Sequence, residues 1–304
     1  MLLLLTKPKQ LKHYDMKVKS ISGILICTML FGAAFSIKPK QSKIIEKQFK
    51  FIPSGKVLVE EDTLTVQAFK MLDHEVTNLE YREFLDEMKT ERPDIYSKLE
   101  VNEKGWSEHY NQAYLDPMVE HYFKHPAYNN YPVVNITQFA AKEYCKWLGI
   151  KLNKDREQKL VVRLPKRAEF IRAGAGDRIG VQFSWGNNNM QNVKGDWLCN
   201  FTRIPQSRMS KEGDDIKLKG KYFTSHLTKK EAMLTAETKS YFPSQFEIYN
   251  LNGNVAEWID AENKAAGGSW HDYGYDVRLQ SVKIEKESSP EIGFRPVFTY
   301  VEKE

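Results

Sequence analysis

The sequence predicts an α+β domain with short strands, few helices and long loops. Three observations predict it. Two stretches place apolar residues at helical spacing behind helix-capping residues. Short β-type runs stand beside them, and beyond Gly176 the periodicity weakens into short strands and turns. Aromatic residues make up 12% of the 304, with 15 Tyr, 16 Phe and 6 Trp, which suits a loop-rich domain pinned by rings.

Taken in order, Phe49 to Val59 reads as a first strand and turn. Thr77-Asn78-Leu79-Glu80 is a capping box, in which the Thr hydroxyl and the Glu carboxylate satisfy free N–H groups at a helix start. Tyr81, Phe84, Leu85 and Met88 follow at i, i+3, i+4 and i+7. Thr137 opens a second helix with Ala141, Tyr144, Cys145 and Leu148 on one stripe, and Gly149 is expected to end it. Leu160 to Leu164 is a short strand. Pro165 starts a third helix that runs to Ala173, with Gly174 and Gly176 as stops. Loops of the length left over need something to hold them, because their backbone has few packing partners.

Composition excludes several classes. Hydrophobic residues at 41% and charged residues at 28% are an ordinary globular mix, not that of a disordered chain, a collagen or a coiled-coil rod. The mean hydropathy of -0.56 argues against a multi-span membrane protein. The net charge of +5 belongs mostly to the N-terminus. Without residues 1–36, which hold five lysines and one aspartate, 40 basic and 39 acidic residues remain. A nucleic-acid partner therefore gets no support from charge.

Residues 1–36 read as an export signal whose true start is Met16. Lys17 and Lys19 form a positive n-region, Ile21 to Phe35 is mostly apolar and uncharged, and Ala34-Phe35-Ser36 supplies small residues before a cleavage point. The alternative is an uncleaved anchor. A lipid anchor on Cys27 is disfavoured by the bulky Ile26 before it. The expected location is the periplasm or cell envelope, with membrane association only through an uncleaved or lipid-modified N-terminus. Residues 37–48 are expected as a linker. The body keeps Cys145 and Cys199, too few for a disulfide framework and without a CxxC for zinc. Cys145 lies on a helical apolar stripe and reads as a buried thiol.

Three stretches carry polar chemistry. In Asn250-Leu251-Asn252-Gly253-Asn254-Val255-Ala256-Glu257-Trp258, the residues Asn250, Gly253, Val255 and Glu257 offer an amide oxygen, carbonyls and a carboxylate to one hard cation. The alternative is a β-hairpin turning at Asn-Gly. In Gly267-Gly268-Ser269-Trp270-His271-Asp272, neighbours on a strand point to opposite sides, so Ser269, His271 and Asp272 make no triad among themselves. His271 and Asp272 read either as metal ligands or as a polar loop beside a buried Trp. Arg295, inside Gly293-Phe294-Arg295-Pro296-Val297, needs a partner if buried, and Glu169, Glu257 and Asp260 are candidates.

An ordered set of motifs resembles the formylglycine-generating enzyme (sulfatase-modifying factor) family. The set is His74-Glu75-Val76-Thr77-Asn78, Tyr131-Pro132-Val133-Val134-Asn135, Tyr144-Cys145-Lys146-Trp147-Leu148-Gly149, Arg163-Leu164-Pro165, Trp185-Gly186, Asn250 to Trp258, Gly267 to Trp270, and Gly293-Phe294-Arg295. The resemblance covers residues 49–300 as one domain. It implies a variant of the C-type lectin fold with bound calcium. It maps one calcium site onto Asn250, Gly253, Val255 and Glu257. A second begins at Asn200 and the carbonyl of Phe201, with further ligands due in the Lys-rich, expanded stretch 210–225.

The family's enzymes oxidise a substrate cysteine to formylglycine with oxygen and copper held by two cysteines. The matching positions here are Asp272 and Val277, which cannot replace soft thiolates for copper(I), and Ala256 stands for a family Trp. Ser269 survives from that pocket. The resemblance therefore implies calcium, no copper, and no formylglycine-generating activity. It is similar to a cysteine-less branch of exported gliding-motility and type IX secretion proteins. That branch implies a scaffold or binding protein with a protein partner in the cell envelope. The alternative is a metal-dependent oxidoreductase of the non-haem iron type, working through His271 and Asp272. Residues 92–130 and 205–240 read as variable insertions that form an interaction surface.

Overall fold

The structure is a computed structural model that describes residues 41–110, 115–154, 156–203, 209–212, 215–218 and 234–301. The expected signal, residues 1–36, lies outside the described residues. Within the expected linker, Gln41–Lys47 form the helix α1. Ile45 packs on the core, and Glu46 binds Arg156 and Lys70, which holds this stretch against the domain.

Strands β1 (Phe49–Ile52) and β2 (Gly55–Val59) are two elements where the sequence suggested one, because Pro53 and Ser54 break the run. β2 forms a hairpin with β3 (Asp62–Val66), and β4 (Phe69–Leu72) returns antiparallel to β1. The helix α2 (Asn78–Glu91) starts at Thr77 with the expected capping box, and Tyr81, Phe84, Leu85 and Met88 are all buried. Among the described residues of the 92–130 stretch lie the short helices α3 (Tyr96–Leu99), α4 (Gly105–His109) and α5 (Asp116–His121) and a 3-10 turn at Pro126–Tyr128. This stretch is anchored, since Trp106 is buried against Tyr122 and Trp270.

The helix α6 (Gln138–Asn153) is capped by Thr137 as expected but runs past Gly149. Leu152 is buried in the same core, so tertiary packing carries the helix a further turn. Strand β5 (Leu160–Arg163) precedes α7 (Arg167–Ala175), which contains Gly174 and stops at Gly176. Beyond it lie the hairpin β6 (Met209–Glu212) and β7 (Asp215–Leu218), then β8 (Ala256–Trp258), β9 (Lys264–Ala266), β10 (Val282–Ile284), β11 (Ile292–Gly293) and β12 (Val297–Tyr300).

One sheet has the order β1-β4-β12-β5, with every pair antiparallel, so the two ends of the domain share a sheet. The other has the order β10-β9-β8-β11, with β11 parallel to β8. Successive residues of β12 feed opposite cores, as strand alternation requires. Phe298 joins Tyr81, Phe84, Tyr144 and Trp147 of α2 and α6, while Val297 joins Phe170 and Ile171 of α7. The fold is α+β with short strands and long loops, as expected from the sequence.

Candidate functional site

The loop 250–255 runs against the Asn200 backbone. Asn250, Gly253 and Asn254 hold left-handed backbone at φ of 54°, 71° and 63°. A Cβ at Gly253 would stand 2.1 Å from the Asn200 carbonyl oxygen, so glycine alone fits there. That carbonyl accepts from the Asn254 N–H at 2.8 Å. The hairpin alternative is not realised. β8 pairs with β9 and with β11, not across Asn252-Gly253.

Behind this loop lies a fully buried ionic cluster. Arg295 donates to both oxygens of Glu257, at 2.5 and 2.6 Å, and its guanidinium is 3.9 Å from Glu75. Of the three expected partners of Arg295, Glu257 is the one found, while Glu169 pairs with Arg163 at 2.7 Å. Glu75 accepts from Asn254 Nδ2 at 2.8 Å and from Asn250 Nδ2 at 3.2 Å. Two carboxylates therefore face one guanidinium, all at 0% exposure. Burial pushes the Glu75 and Glu257 carboxyls upward, and Arg295 opposes the shift.

The amide oxygen of Asn250 is buried and has no hydrogen-bond partner. Such an orphan is costly unless something electropositive meets it. The unmatched Asn250 oxygen is the observation that a hard cation would meet, since burial itself favours the neutral form of the Glu75 carboxyl. Glu257 keeps a lone pair on each oxygen while bound to Arg295. Asn250 and Glu257 are linked through Glu75, which the sequence left unassigned.

The second expected cation site is different. Asn200 is 1% exposed, and its Nδ2 donates to Leu234 O at 2.6 Å and to Asn254 Oδ1 at 3.3 Å. Phe201 is half-buried, with its ring 5.4 Å from that of Trp197. Asn200 thus props the first loop. The further ligands expected in 210–225 are side chains outside the described residues.

A second cluster, half-open to solvent, gathers the three pocket residues. Asp272 Oδ2 accepts from Ser269 Oγ at 2.7 Å and from Ser269 N at 2.8 Å. His271 Nδ1 is 2.8 Å from Glu291 Oε1. The Tyr110 hydroxyl donates to the same carboxylate. Lys283 Nζ lies 2.9 Å from Asp272 and also pairs with Glu291. Burial would lower the Lys283 pKa, but the two carboxylates raise it. Burial likewise opposes ionisation of Glu291, yet His271 and Lys283 hold its carboxyl well below the usual range.

This arrangement sets Glu291 beside His271 and Lys283 between Asp272 and Glu291. An ammonium already sits between the carboxylates, and among the described residues no three His, Cys, Asp or Glu side chains are grouped to hold a metal. Trp270 is buried against Trp106, its Nε1 donating to Pro290 O at 3.1 Å, so the polar loop beside a buried Trp is what stands here. Lys283, Glu291 and Tyr110 were not foreseen. Val277, at the other cysteine position, is wholly buried and packs with Phe183 and Cys199. Cys145 and Cys199 are both buried, which pushes their thiols well above the ordinary value.

Solved structures share this frame. The crystal structure of CarF superposes with a TM-score of 0.51 at 17% identity, covering 84% of this chain and 98% of that one. Treponema denticola variable protein 1 gives 0.50 at 17% identity, covering 82% and 94%. These likenesses define the class of fold. Residues 36–300 match the sulfatase-modifying factor enzyme 1-like (FGE-sulfatase) domain, and the chain belongs to that family.

The formylglycine-generating enzyme of Streptomyces coelicolor is 30% identical over 131 residues, 42% of this chain and 32% of that enzyme. The serine/threonine-protein kinase Pkn1 of Chlamydia trachomatis is 22% identical over 214 residues, 70% of this chain and 24% of the kinase. The inactive C-alpha-formylglycine-generating enzyme 2 of Bos taurus is 24% identical over 244 residues, 69% of this chain and 67% of that protein. The match thus spans a third or less of the length of the first two relatives.

Proposed function

We propose that this protein is an exported, non-catalytic member of the sulfatase-modifying factor family that serves as a calcium-stabilised scaffold or binding protein. One observation carries the reading. Where the resemblance places two copper thiolates, Asp272 is tied to Ser269 and Lys283, and Val277 is buried in apolar contacts. The remaining described cysteines are buried with raised thiol pKa, which suits packing and not metal ligation. A bovine relative bears the name of an inactive enzyme, which agrees with this reading. Calcium would be held by Asn250 and Glu257 side chains with the Gly253 and Val255 carbonyls, where it would meet the unmatched Asn250 oxygen and stiffen the loop. The finer assignment we favour is a cell-envelope role in gliding motility or type IX secretion, with a protein partner. The test is incubation with a cysteine-bearing sulfatase peptide, oxygen and copper, followed by mass spectrometry. The peptide is expected to keep its cysteine, and formylglycine in it would overturn the reading.

A further inference from the structure

We propose that the groove between α6, β5 and α1 docks an acidic, amphipathic segment of a partner protein. The proposal rests on the binding-protein reading and gives that reading a surface. The groove has a volume of about 1170 Å³. Its apolar wall is Ile45, Trp147, Ile150 and Val161. Ile150 is 74% exposed and Val161 49%, although both lie on elements that otherwise feed the core.

Charge says what fits. Lysines 146, 151, 154 and 159 line the groove against Glu87 and Glu91. Lys151 is committed to Glu87 at 2.7 Å, and Lys146 to Glu143 at 2.6 Å. Lys154 and Lys159 have no acidic partner among the described residues and stand exposed. Two exposed ammonium groups without a carboxylate partner among the described residues (Lys159 Nζ donates only to Asn153 O at 3.3 Å), set beside exposed aliphatic side chains, complement a segment that presents carboxylates and apolar residues together. A second copy would bring the same lysines face to face, which like-charge repulsion disfavours.

The shape narrows the mode of binding. The Asn153 side chain takes both backbone groups of Leu160, each at 2.9 Å, so the β5 edge is closed there and side chains must hold the occupant. Gly149 lines the floor of the groove in mid-helix, where alanine is intrinsically better. A Cβ there would meet Val162 at 3.5 Å, an ordinary contact, so packing does not demand the glycine. Its absence keeps the groove deep.

The test pans a random dodecapeptide display library against the full protein, with Ile150→Asp and Lys154→Glu/Lys159→Glu variants as counter-selections. Thermal melts of the variants check that these surface changes leave the fold intact. Enriched peptides should combine Asp or Glu with Leu or Ile at helical spacing. By fluorescence anisotropy they should bind the variants roughly tenfold more weakly and lose affinity with salt. Peptides that bind both variants as well as the original protein would overturn the groove while leaving the binding-protein reading in place. No enrichment at all would count against both. Co-sedimentation with phosphatidylcholine–phosphatidylglycerol vesicles, lost in the double lysine variant, would overturn the proposal in favour of a lipid surface.

Discussion

The two ionic clusters use the same kinds of side chain and settle their charge in opposite ways. Around Arg295, two carboxylates share one guanidinium with no access to water, and an amide oxygen is left over. Around Lys283, two carboxylates share one ammonium, but an imidazole and a tyrosine hydroxyl also donate, and solvent reaches the edge. The side chains of His271, Asp272, Lys283 and Glu291 are 16%, 19%, 24% and 15% exposed, where those of Glu75, Glu257 and Arg295 are 0%. In the deep cluster every imbalance must be met by protein, by a proton or by a bound ion, and burial pushes the Glu75 carboxyl toward its neutral form. In the open one, water absorbs what the protein leaves unmatched. The contrast separates a cluster that leaves a buried oxygen unmatched from one that contains its own cation.

The largest effect should come from Arg295. Replacement by Met strands Glu75 and Glu257 together in the interior, and breaking a buried pair from one side costs about 3–5 kcal/mol. Urea unfolding should show that loss, and adding Glu257→Gln to the same chain should recover part of it. If Arg295→Met alone proves neutral, the cluster is not the buried, charge-dependent element described. Chelation comes next. Calcium at a hundredfold excess over its Kd would add about 2.7 kcal/mol, so a chelator should lower the melting temperature of the original protein. It should leave Asn250→Ala unmoved. A melt indifferent to chelator in the original protein would remove calcium from the account.

Much of this was legible in the sequence where the signal is local. The box at Thr77-Glu80 and the stripe after it specify α2, because both the cap and the buried face lie within a dozen residues. A buried Arg demands a partner, so Arg295 could be matched to a short roster that contained Glu257. What escaped depends on distant contacts. Glu75 meets Asn254 across 179 positions, and Tyr110 meets Glu291 across 181, separations that no periodicity records. Gly149 looked like a helix stop because glycine weakens a helix, but Leu152 gains enough from the core to override that preference. His271 and Asp272 stayed open between metal ligands and a polar loop, because Glu291 and Lys283, which meet them, lie outside their motif.

The smallest effect is expected at Lys283, and it tests the open side of the contrast. Lys283→Met leaves Asp272 and Glu291 facing each other at a partly solvated edge, where water and the remaining donors soften the loss to about 1–3 kcal/mol. Acidity should discriminate further. In the folded protein the Glu291 carboxyl is held below its ordinary 4.5 despite burial, chiefly by His271 and Lys283. A depressed carboxyl contributes stability that is present above its unfolded pKa and is lost as pH falls below it. The original protein should therefore lose stability progressively below about pH 4.5, and Glu291→Gln should flatten that acid limb while starting from a lower plateau. Denaturation midpoints measured from pH 7 down to pH 3 would show it. Parallel acid limbs in the two proteins would mean that Glu291 is no better stabilised folded than unfolded, and the resident-cation account of this cluster would fail.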